Sequence, residues 1–379
     1  MGPVKSIEVR AGRQRYEVLI GSGLLPGIGL IVRQLFRGSR CAVVTDGNVA
    51  PLYGEVVCAS LREANFQPQL IIVPPGESSK SLDQAGALCD EFGAAGLDRS
   101  SFLVSLGGGV VSDLAGFVAS IYLRGIPYVS LPTTLLAQVD SCIGGKTGVN
   151  SSAGKNLIGT FFHPALVVAD LETLQTLPGR IWNEGFAEVI KHGVIRDAGL
   201  FHMVAQASSL QPMDDASPPQ RDESVQPASW KLALPSFIAR NLRIKAEIVA
   251  ADEKEKNDLR ALLNFGHTIG HAIEHAAGYG ELLHGEAISL GMVASAQVSV
   301  RRAGLSVAEA DAIKSALQSH HLPTALPPNF PRAKIFAALA RDKKFENGRI
   351  RFVVVHEIGR ASVSHDVTLE DLEAAVAEL

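Results

Sequence analysis

Short apolar runs alternate with helical periodicities through the first half of the chain. YEVLI (16–20), CAVVTD (41–46), PQLIIVP (68–74), SFLVSL (101–106) and PYVSL (127–131) are rich in Val, Ile and Leu and are bounded by Gly, Pro and Asp. Between them, KSLDQAGALCDEFGAAG (80–96) and VVSDLAGFVASIYL (110–123) carry apolar residues at helical spacing. Such alternation predicts βαβ units and an α/β fold whose mostly parallel sheet is covered by helices.

The second half has a different rhythm. RIWNEGFAEVIKHGVI (180–195), LPSFIARNLRIKAEIVAADE (234–253), LLNFGHTIGHAIEHAAG (262–278), GEAISLGMVASAQVSVRRAG (285–304) and VAEADAIKSALQSH (307–320) are helical by periodicity. IRFVVVHEIG (350–359) alone reads as a strand. Two domains are expected, an α/β domain over 1–179 and a mainly α-helical domain over 180–379, with Pro178–Gly179 at the boundary. The stretch 205–229, rich in Ser, Pro, Gln and Asp, offers little apolar surface to bury and is predicted to be a mobile surface loop.

Composition supports this outline. A chain of 379 residues exceeds one typical hydrophobic core, and 46% hydrophobic with 20% charged residues suits a globular protein. The formal net charge of −4 supplies no basic excess for nucleic acid or an anionic membrane. Cys41, Cys58, Cys89 and Cys142 are far apart and lack C-x-x-C spacing, which argues against a zinc ribbon and suits a reducing compartment. No apolar h-region opens the sequence and no run of about twenty apolar residues occurs in it, so the expected location is cytoplasmic.

Candidate chemistry gathers at the ends of the predicted strands. SFLVSLGGGVVSDLAGF sets Gly107, Gly108 and Gly109 between a strand and a helix that contains Asp113. Glycines there let backbone approach a pyrophosphate, and the helix start supplies N–H donors and the positive dipole end. A tight βα turn would use the same residues, and the usual G-x-G-x-x-G spacing is absent. Asp46 and Asn48 follow an earlier strand, Glu77 and Lys80 the next, and Thr133, Thr134 and Asp140 a later one. Open α/β sheets bind their ligands at these carboxyl ends.

CIGGKTGVNSSAGKNLIG (142–159) holds Lys146, Asn150, Lys155 and Asn156 among five glycines. A P-loop is excluded, because Asp140 stands where the first glycine should be. Lysines on a glycine-rich loop suit a phosphorylated or carboxylated small molecule. Further on, His267, His271 and His275 recur every four residues, with His284 nearby and Glu188 upstream next to Lys191 and His192. A carboxylate with two imidazoles and an open position is the donor set of a catalytic zinc site. Spacing does not choose among His267/His271, His271/His275 and Glu188/His192. Lys245, Arg260, Asn264, Lys343 and Lys344 add cations and an amide, so the substrate would be polyanionic.

GGGVVSDLAGFVAS, RGIPYVSLPTTLLAQVDSCIGGKTGVN, GKNLIGTFFHP, GFAEVIKHG, LLNFGHTIGHAIEH and LHGEAISLGM resemble, in order, the signature stretches of the 3-dehydroquinate synthase family, one of the sugar phosphate cyclases. The resemblance runs from about Asp46 to Gly359. It implies a Rossmann-like N-terminal domain, an α-helical C-terminal domain, an active site in the cleft between them, and a homodimer. Metal ligands would be Glu188, His267 and His284, holding Zn2+ or Co2+, with His271 catalytic. NAD contacts would include Asp46, Asn48, Glu77, Lys80, Gly108, Gly109, Asp113, Thr133, Thr134 and Asp140. Substrate contacts would include Lys146, Lys155, Asn156, Lys191, Lys245, Arg260, Asn264 and one of Lys343/Lys344, here placed at Lys344. Arg124 would reach the substrate phosphate in the neighbouring subunit. Catalytic roles fall to His271, Lys146, Lys191, Asn264 and Arg260. The segment DEKEKNDLR is one residue longer than the family's usual acidic stretch, which leaves the place of Glu255 open.

The implied reaction takes 3-deoxy-D-arabino-heptulosonate 7-phosphate to 3-dehydroquinate and phosphate, in the shikimate route to aromatic compounds. It runs through transient NAD-dependent oxidation, phosphate elimination with the substrate's own phosphate as base, reduction, and intramolecular aldol closure. A related sugar phosphate cyclase would be expected to differ at Lys155–Asn156, Asn264 and His271, all of which match here. A metal-dependent alcohol or glycerol dehydrogenase would not need the lysine-rich loop and would accumulate NADH. An inactive NAD-binding regulator would be expected to lose metal ligands.

Overall fold

A computed structural model describes residues 4–152, 154–206, 228–278, 280–340, 345–346 and 349–379, with side chains outside 228–233, 345–346 and 349. The chain divides into two compact units, Met1–Leu177 with Lys231–Ala246, and Pro178–Trp230 with Glu247–Leu379.

The first unit is built on a seven-stranded sheet. In chain order its strands are β1 (Lys5–Ala11), β2 (Gln14–Gly21), β3 (Arg40–Asp46), β4 (Gln67–Val73), β5 (Phe102–Gly107), β6 (Tyr128–Pro132) and, after the hairpin β7 (Lys146–Ser151) and β8 (Gly154–Phe161), β9 (Leu166–Asp170). The sheet order is β1-β2-β9-β6-β5-β3-β4, and pairing is parallel throughout except between β1 and β2. Helices α1 (Ile28–Arg33) and α2 (Glu55–Glu63) bury Ile28, Val32, Val57 and Leu61 against Cys41, Val43 and Val104. On the other face α3 (Leu82–Ala94) and α4 (Gly109–Ile121) bury Leu88, Phe92, Leu114 and Val118 against Ala42, Val44 and Leu103. Neighbours along β3 therefore face opposite helix layers, which is why Cys41–Val44 form a continuous apolar run instead of alternating.

The second unit is mainly helical, with α5 (Gly179–Arg196), α6 (Ala198–Gln206), α8 (Asp258–Ala261), α9 (His267–Ala277), α10 (His284–Ala303), α11 (Val307–Ser319), α12 (Arg332–Ala340) and α13 (Leu369–Ala377). Helix α7 (Ala228–Ala251) contributes Lys231–Ala246 to the first unit. Short pairs β10 (Phe345–Glu346) with β11 (Arg349–Ile350), and β12 (Phe352–Glu357) with β13 (Arg360–Ser364), complete the elements. The predicted strand near the end is β12, and its Val355 N–H donates to Ser299 Oγ of α10 at 3.0 Å. Helix α10 is buried along most of its length, through Ile288, Leu290, Met292 and Val298. Against it lies α9 at close range: a Cβ on Gly291 would fall 2.0 Å from the Gly266 carbonyl oxygen. Gly270 packs likewise on Ile288, so the start of α9 lies against the middle of α10, and the rings of His267 and His284 come within 5.5 Å of each other.

Two expectations need revision. The periodic stretch 262–278 is not one helix, because Gly266 adopts φ +80° and α9 begins only at His267. The stretch 205–229 is not loop at its ends, since Ala205 and Gln206 close α6 and Ala228 and Ser229 open α7. Its middle, 207–227, lies outside the described residues. Among the described residues, no helix is long and apolar enough to cross a membrane.

Candidate nucleotide-binding edge and metal centre

In the first unit the partial order β4-β3-β5-β6-β9 reverses direction between β3 and β5. Ligands of open α/β sheets bind outside the carboxyl ends of strands at such a reversal. Asp46 ends β3, and its Oδ1 accepts from the N–H groups of Asn48 (2.8 Å) and Val49 (3.0 Å). Gly107 ends β5, and Gly108 and Gly109 open α4. A Cβ on Gly108 would press on Thr134 Cγ2 at 3.1 Å. Thr134 follows β6, and its Oγ1 accepts from Ala137 N at 3.1 Å. Thr133 Oγ1 is buried and has no hydrogen-bond partner among the described residues. A glycine turn at a helix start, with an unsatisfied hydroxyl beside it, fits a dinucleotide pyrophosphate.

Lys80 is almost fully buried and pairs with Asp113 Oδ2 at 2.8 Å and Glu77 Oε1 at 3.5 Å. Burial works against its charge, but Asp113 and Glu77 outweigh it and raise the ammonium pKa. Glu77 also accepts from Asn150 Nδ2 at 2.9 Å and lies 4.0 Å from Lys155 Nζ. Asn150 Oδ1 in turn accepts from the N–H of Asn156, whose φ is +53°. Five residues expected to contact cofactor or substrate therefore share one network of ion pairs and hydrogen bonds. Lys245 and Asp140 form a separate pair at 2.8 Å, and the same ammonium donates to the Asp140 carbonyl at 2.7 Å. Lys146 is exposed on β7, and Arg124 is exposed just beyond α4. The stretch read as a glycine-rich loop is in fact the β7–β8 hairpin. Gly148 and Gly159 face each other there, and a Cβ on Gly159 would sit 2.2 Å from the Thr147 carbonyl oxygen.

In the second unit, donor atoms of Glu188, His267 and His284 all lie within 4.8 Å of one another. Oε1 of Glu188 is 3.4 Å from His267 Nε2 and 3.5 Å from His284 Nε2. His267 Nδ1 lies 3.1 Å from the Phe265 carbonyl, which can only accept, so the ring proton sits on Nδ1 and the Nε2 lone pair points inward. Burial and the nearby Lys191 lower the His267 pKa to about 4, which keeps it a neutral ligand. Burial would raise the Glu188 carboxyl, but Lys191 and His267 hold it well below the usual carboxylate range. Burial opposes the charged form of His284 too, yet its bond to Glu188 raises its pKa. This donor set suits a divalent cation. His271, Glu274 and His284 form a second set within the same distance, but His271 is exposed. His275 is exposed and joins neither set, and His192 is buried on α5.

Lys191 is buried and ion-paired with Glu188. Arg260 is buried, and its guanidinium donates to the Glu253 carbonyl. Asn264 Nδ2 donates to Glu255 Oε1 at 3.0 Å. That contact pairs Glu255 with Asn264, one of the residues expected to touch substrate. Asp252 shapes the segment by accepting the N–H groups of Lys256, Asn257 and Arg260. Nothing in the residue spacing marked Asp252. Lys343 and Lys344 lie outside the described residues.

Residues 70–184 match the family described as 3-dehydroquinate synthase N-terminal, and residues 185–345 the family described as 3-dehydroquinate synthase C-terminal. A curated 3-dehydroquinate synthase of Symbiobacterium thermophilum is 47% identical over 361 residues, covering 94% of this chain and 96% of that protein. One from Thermodesulfovibrio yellowstonii is 41% identical over 99% of this chain and 100% of that protein. Among solved structures, 2-epi-5-epi-valiolone synthase from Streptomyces hygroscopicus subsp. jinggangensis, with NAD+ and Zn2+ bound, superposes with a TM-score of 0.83 at 31% identity and covers 96% of both chains. An iron-containing alcohol dehydrogenase from Thermotoga maritima shares the fold alone, with a TM-score of 0.66 at 14% identity and 99% coverage of both chains.

Proposed function

The chain belongs to the 3-dehydroquinate synthase family, and from that premise we propose that it converts 3-deoxy-D-arabino-heptulosonate 7-phosphate into 3-dehydroquinate and phosphate. It does so in the shikimate route to aromatic compounds, as a cytoplasmic homodimer using NAD and Zn2+ or Co2+. The observation that carries this reading is the convergence of Glu188, His267 and His284 beside the buried Lys191. The cation, when bound, supplies Lewis acidity to a substrate hydroxyl, and NAD, when bound, accepts and returns a hydride.

The chain's own residues supply the rest. We read 1–179 as the NAD-binding domain and 180–379 as the metal- and substrate-binding domain. Asp46, Asn48, Glu77, Lys80, Gly108, Gly109, Asp113, Thr133, Thr134 and Asp140 hold the nucleotide. Lys146, Lys155, Lys245 and Arg260 neutralise the carboxylate and phosphate of the substrate, together with Lys344, and Asn156 adds a hydrogen bond. Asn264 orients the substrate by directional hydrogen bonds, held by Glu255. Lys191 keeps Glu188 ionised and places a cation near the reacting oxygens. His271 is exposed one turn after His267 on α9, where it can exchange protons with bound substrate.

A homodimer is supported by an exposed apolar patch in the first unit. Ile121 ends α4 and Leu123 lies two residues on, and Leu157 and Phe161 lie on β8. Ser120 Oγ accepts from Thr160 Oγ1 at 2.9 Å, which joins the two segments, and Arg124, next to Leu123 in the chain, is exposed. Incubation of the protein with the heptulosonate phosphate, NAD+ and Zn2+ tests the activity, following phosphate, dehydroquinate and NADH together. Equal release of phosphate and dehydroquinate without net NADH is expected. Net NADH without phosphate would instead favour a dehydrogenase.

A further inference from the structure

Helix α5 and the first turn of α10 meet in a stepwise register. Arg180 binds Glu286 in a two-pronged ion pair, Nε to Oε1 and Nη2 to Oε2, both at 2.7 Å. One turn along α5, Glu184 Oε2 accepts from the N–H of Gly285 at 3.4 Å. One turn further, Glu188 meets His284. Each four-residue step along α5 thus addresses the preceding residue of α10. Arg180, Glu184 and Glu188 share one helix face, as four-residue spacing requires.

The contact depends on Gly285. A Cβ there would lie 2.1 Å from the Glu184 carbonyl oxygen and 2.7 Å from its carbonyl carbon, both backbone atoms that cannot turn aside. Glu286 also accepts from the Leu283 N–H at 2.9 Å, which fixes the turn that launches His284. Arg180 further donates to the Glu281 carbonyl at 3.1 Å and so ties down the segment before α10. None of these groups lies within the ligand set itself, and all of them bear on the turn from which His284 starts α10.

We propose that Arg180, Glu286 and Gly285 are positioning residues that set the affinity of the metal centre by locking the start of α10 onto α5. The inference rests on the reading of Glu188, His267 and His284 as the metal ligands. Arg180 is more than half exposed, so removal of its side chain should loosen the centre without unfolding the protein. Partners that orient metal ligands are typically worth about 10–100-fold in metal affinity.

The test measures the zinc dissociation constant of the full-length protein by competition with a chromophoric chelator, beside the thermal midpoint of the metal-free form. Arg180→Ala should weaken zinc binding by about 10-fold or more with the metal-free midpoint unchanged, and Arg180→Lys should recover part of the loss. Gly285→Ala should weaken zinc binding further, and Arg180→Ala keeps the proposal testable if that variant fails to fold. His284→Ala is the reference for the centre itself. If His284→Ala abolishes zinc binding while Arg180→Ala stays within twofold of the parent, the positioning role is overturned and the metal centre stands. If His284→Ala leaves zinc binding intact, the metal reading itself fails and the positioning role with it. A fall in the metal-free midpoint of Arg180→Ala with unaltered zinc affinity would make the pair a purely structural clamp and also overturn the proposal.

Discussion

Lys191 sets its ammonium against the carboxylate of Glu188, one turn earlier on α5, and both side chains are buried. In the metal-free protein this pair neutralises a carboxylate that also faces two imidazoles. Breaking a buried pair by removing one partner costs about 3–5 kcal/mol. Lys191→Met should therefore destabilise the metal-free protein by roughly that amount, and Zn2+ should return more stability to the variant than to the parent, because the ion replaces the lost charge. Denaturant unfolding with and without Zn2+ measures both effects. Equal stabilisation of variant and parent by Zn2+ would count against the site.

Proton competition at His284 gives the centre a pH dependence of defined sign. The group has a raised pKa, so it keeps its proton to higher pH than an ordinary imidazole, and a metal must displace that proton from the ring. His267, lowered to about 4, is already neutral throughout the working range. Zinc affinity should therefore fall by about tenfold per pH unit below the His284 pKa and level off above it. Calorimetry in buffers of different ionisation enthalpy should register up to one proton released per zinc bound at neutral pH. In His284→Gln the affinity should be lower and this proton release should vanish.

His271 separates chemistry from metal binding. It is exposed on α9, and its ring lies 5.3 Å from that of His267. If it carries protons to and from substrate, His271→Ala should lower kcat by about 10²–10⁴-fold while zinc stoichiometry stays at one per chain. If the set His271, Glu274 and His284 holds the ion instead, the same variant should lose its zinc. Metal analysis of the dialysed variant decides between them.

The sequence made some features legible and hid others, for physical reasons. Residues 41–46 could be read as a strand buried on both faces, since Cys41 and Val43 pack on one side and Ala42 and Val44 on the other. β9 was missed, although LVVAD is just as apolar and Pro164 stands two residues before it. Helical periodicity in α7 was visible, but periodicity cannot say which core a helix joins, and Lys231–Ala246 belongs to the first unit. Glycine density around Lys146 suggested a loop because close strand approach and loop flexibility both select glycine. Four-residue spacing put His267, His271 and His275 on one face equally well. The meeting of three separate segments sets Glu188, His267 and His284 together, and it sets His271 and Glu274 beside His284 as well. Contacts of that kind have no local signature.

Lys80 couples the proposed nucleotide-binding edge to the fold. Its buried ammonium holds Asp113 at 2.8 Å and Glu77 at 3.5 Å, and Glu77 holds Asn150. Lys80→Met should cost about 2–3 kcal/mol of stability, below the range for a fully buried pair because Asp113 keeps some access to water. It should also weaken NAD binding, since the carboxylates beside the glycine turn lose their counter-charge. NAD titration by calorimetry and denaturant unfolding measure the two effects. Zinc affinity should not change, and a parallel loss of zinc binding would show that the variant has damaged more than the nucleotide edge.

The apolar patch at the end of α4 and on β8 predicts where copies of the chain meet. Leu157 is 53% exposed and Phe161 45% exposed, on a strand of a two-stranded hairpin. Side chains of that size on a hairpin strand would be buried by a second copy. A charge introduced at either position should be tolerated in the monomer, where the side chain faces solvent, and should oppose association, where it would be desolvated. Phe161→Asp should therefore shift sedimentation from dimer to monomer with little change in the thermal midpoint of the isolated chain. If Arg124 acts on the substrate of the neighbouring subunit, the monomeric variant should also lose turnover, while Arg124→Ala should lose turnover but remain a dimer. A parent protein that sediments as a monomer at micromolar concentration, yet turns over fully, would remove both the interface and the shared role of Arg124.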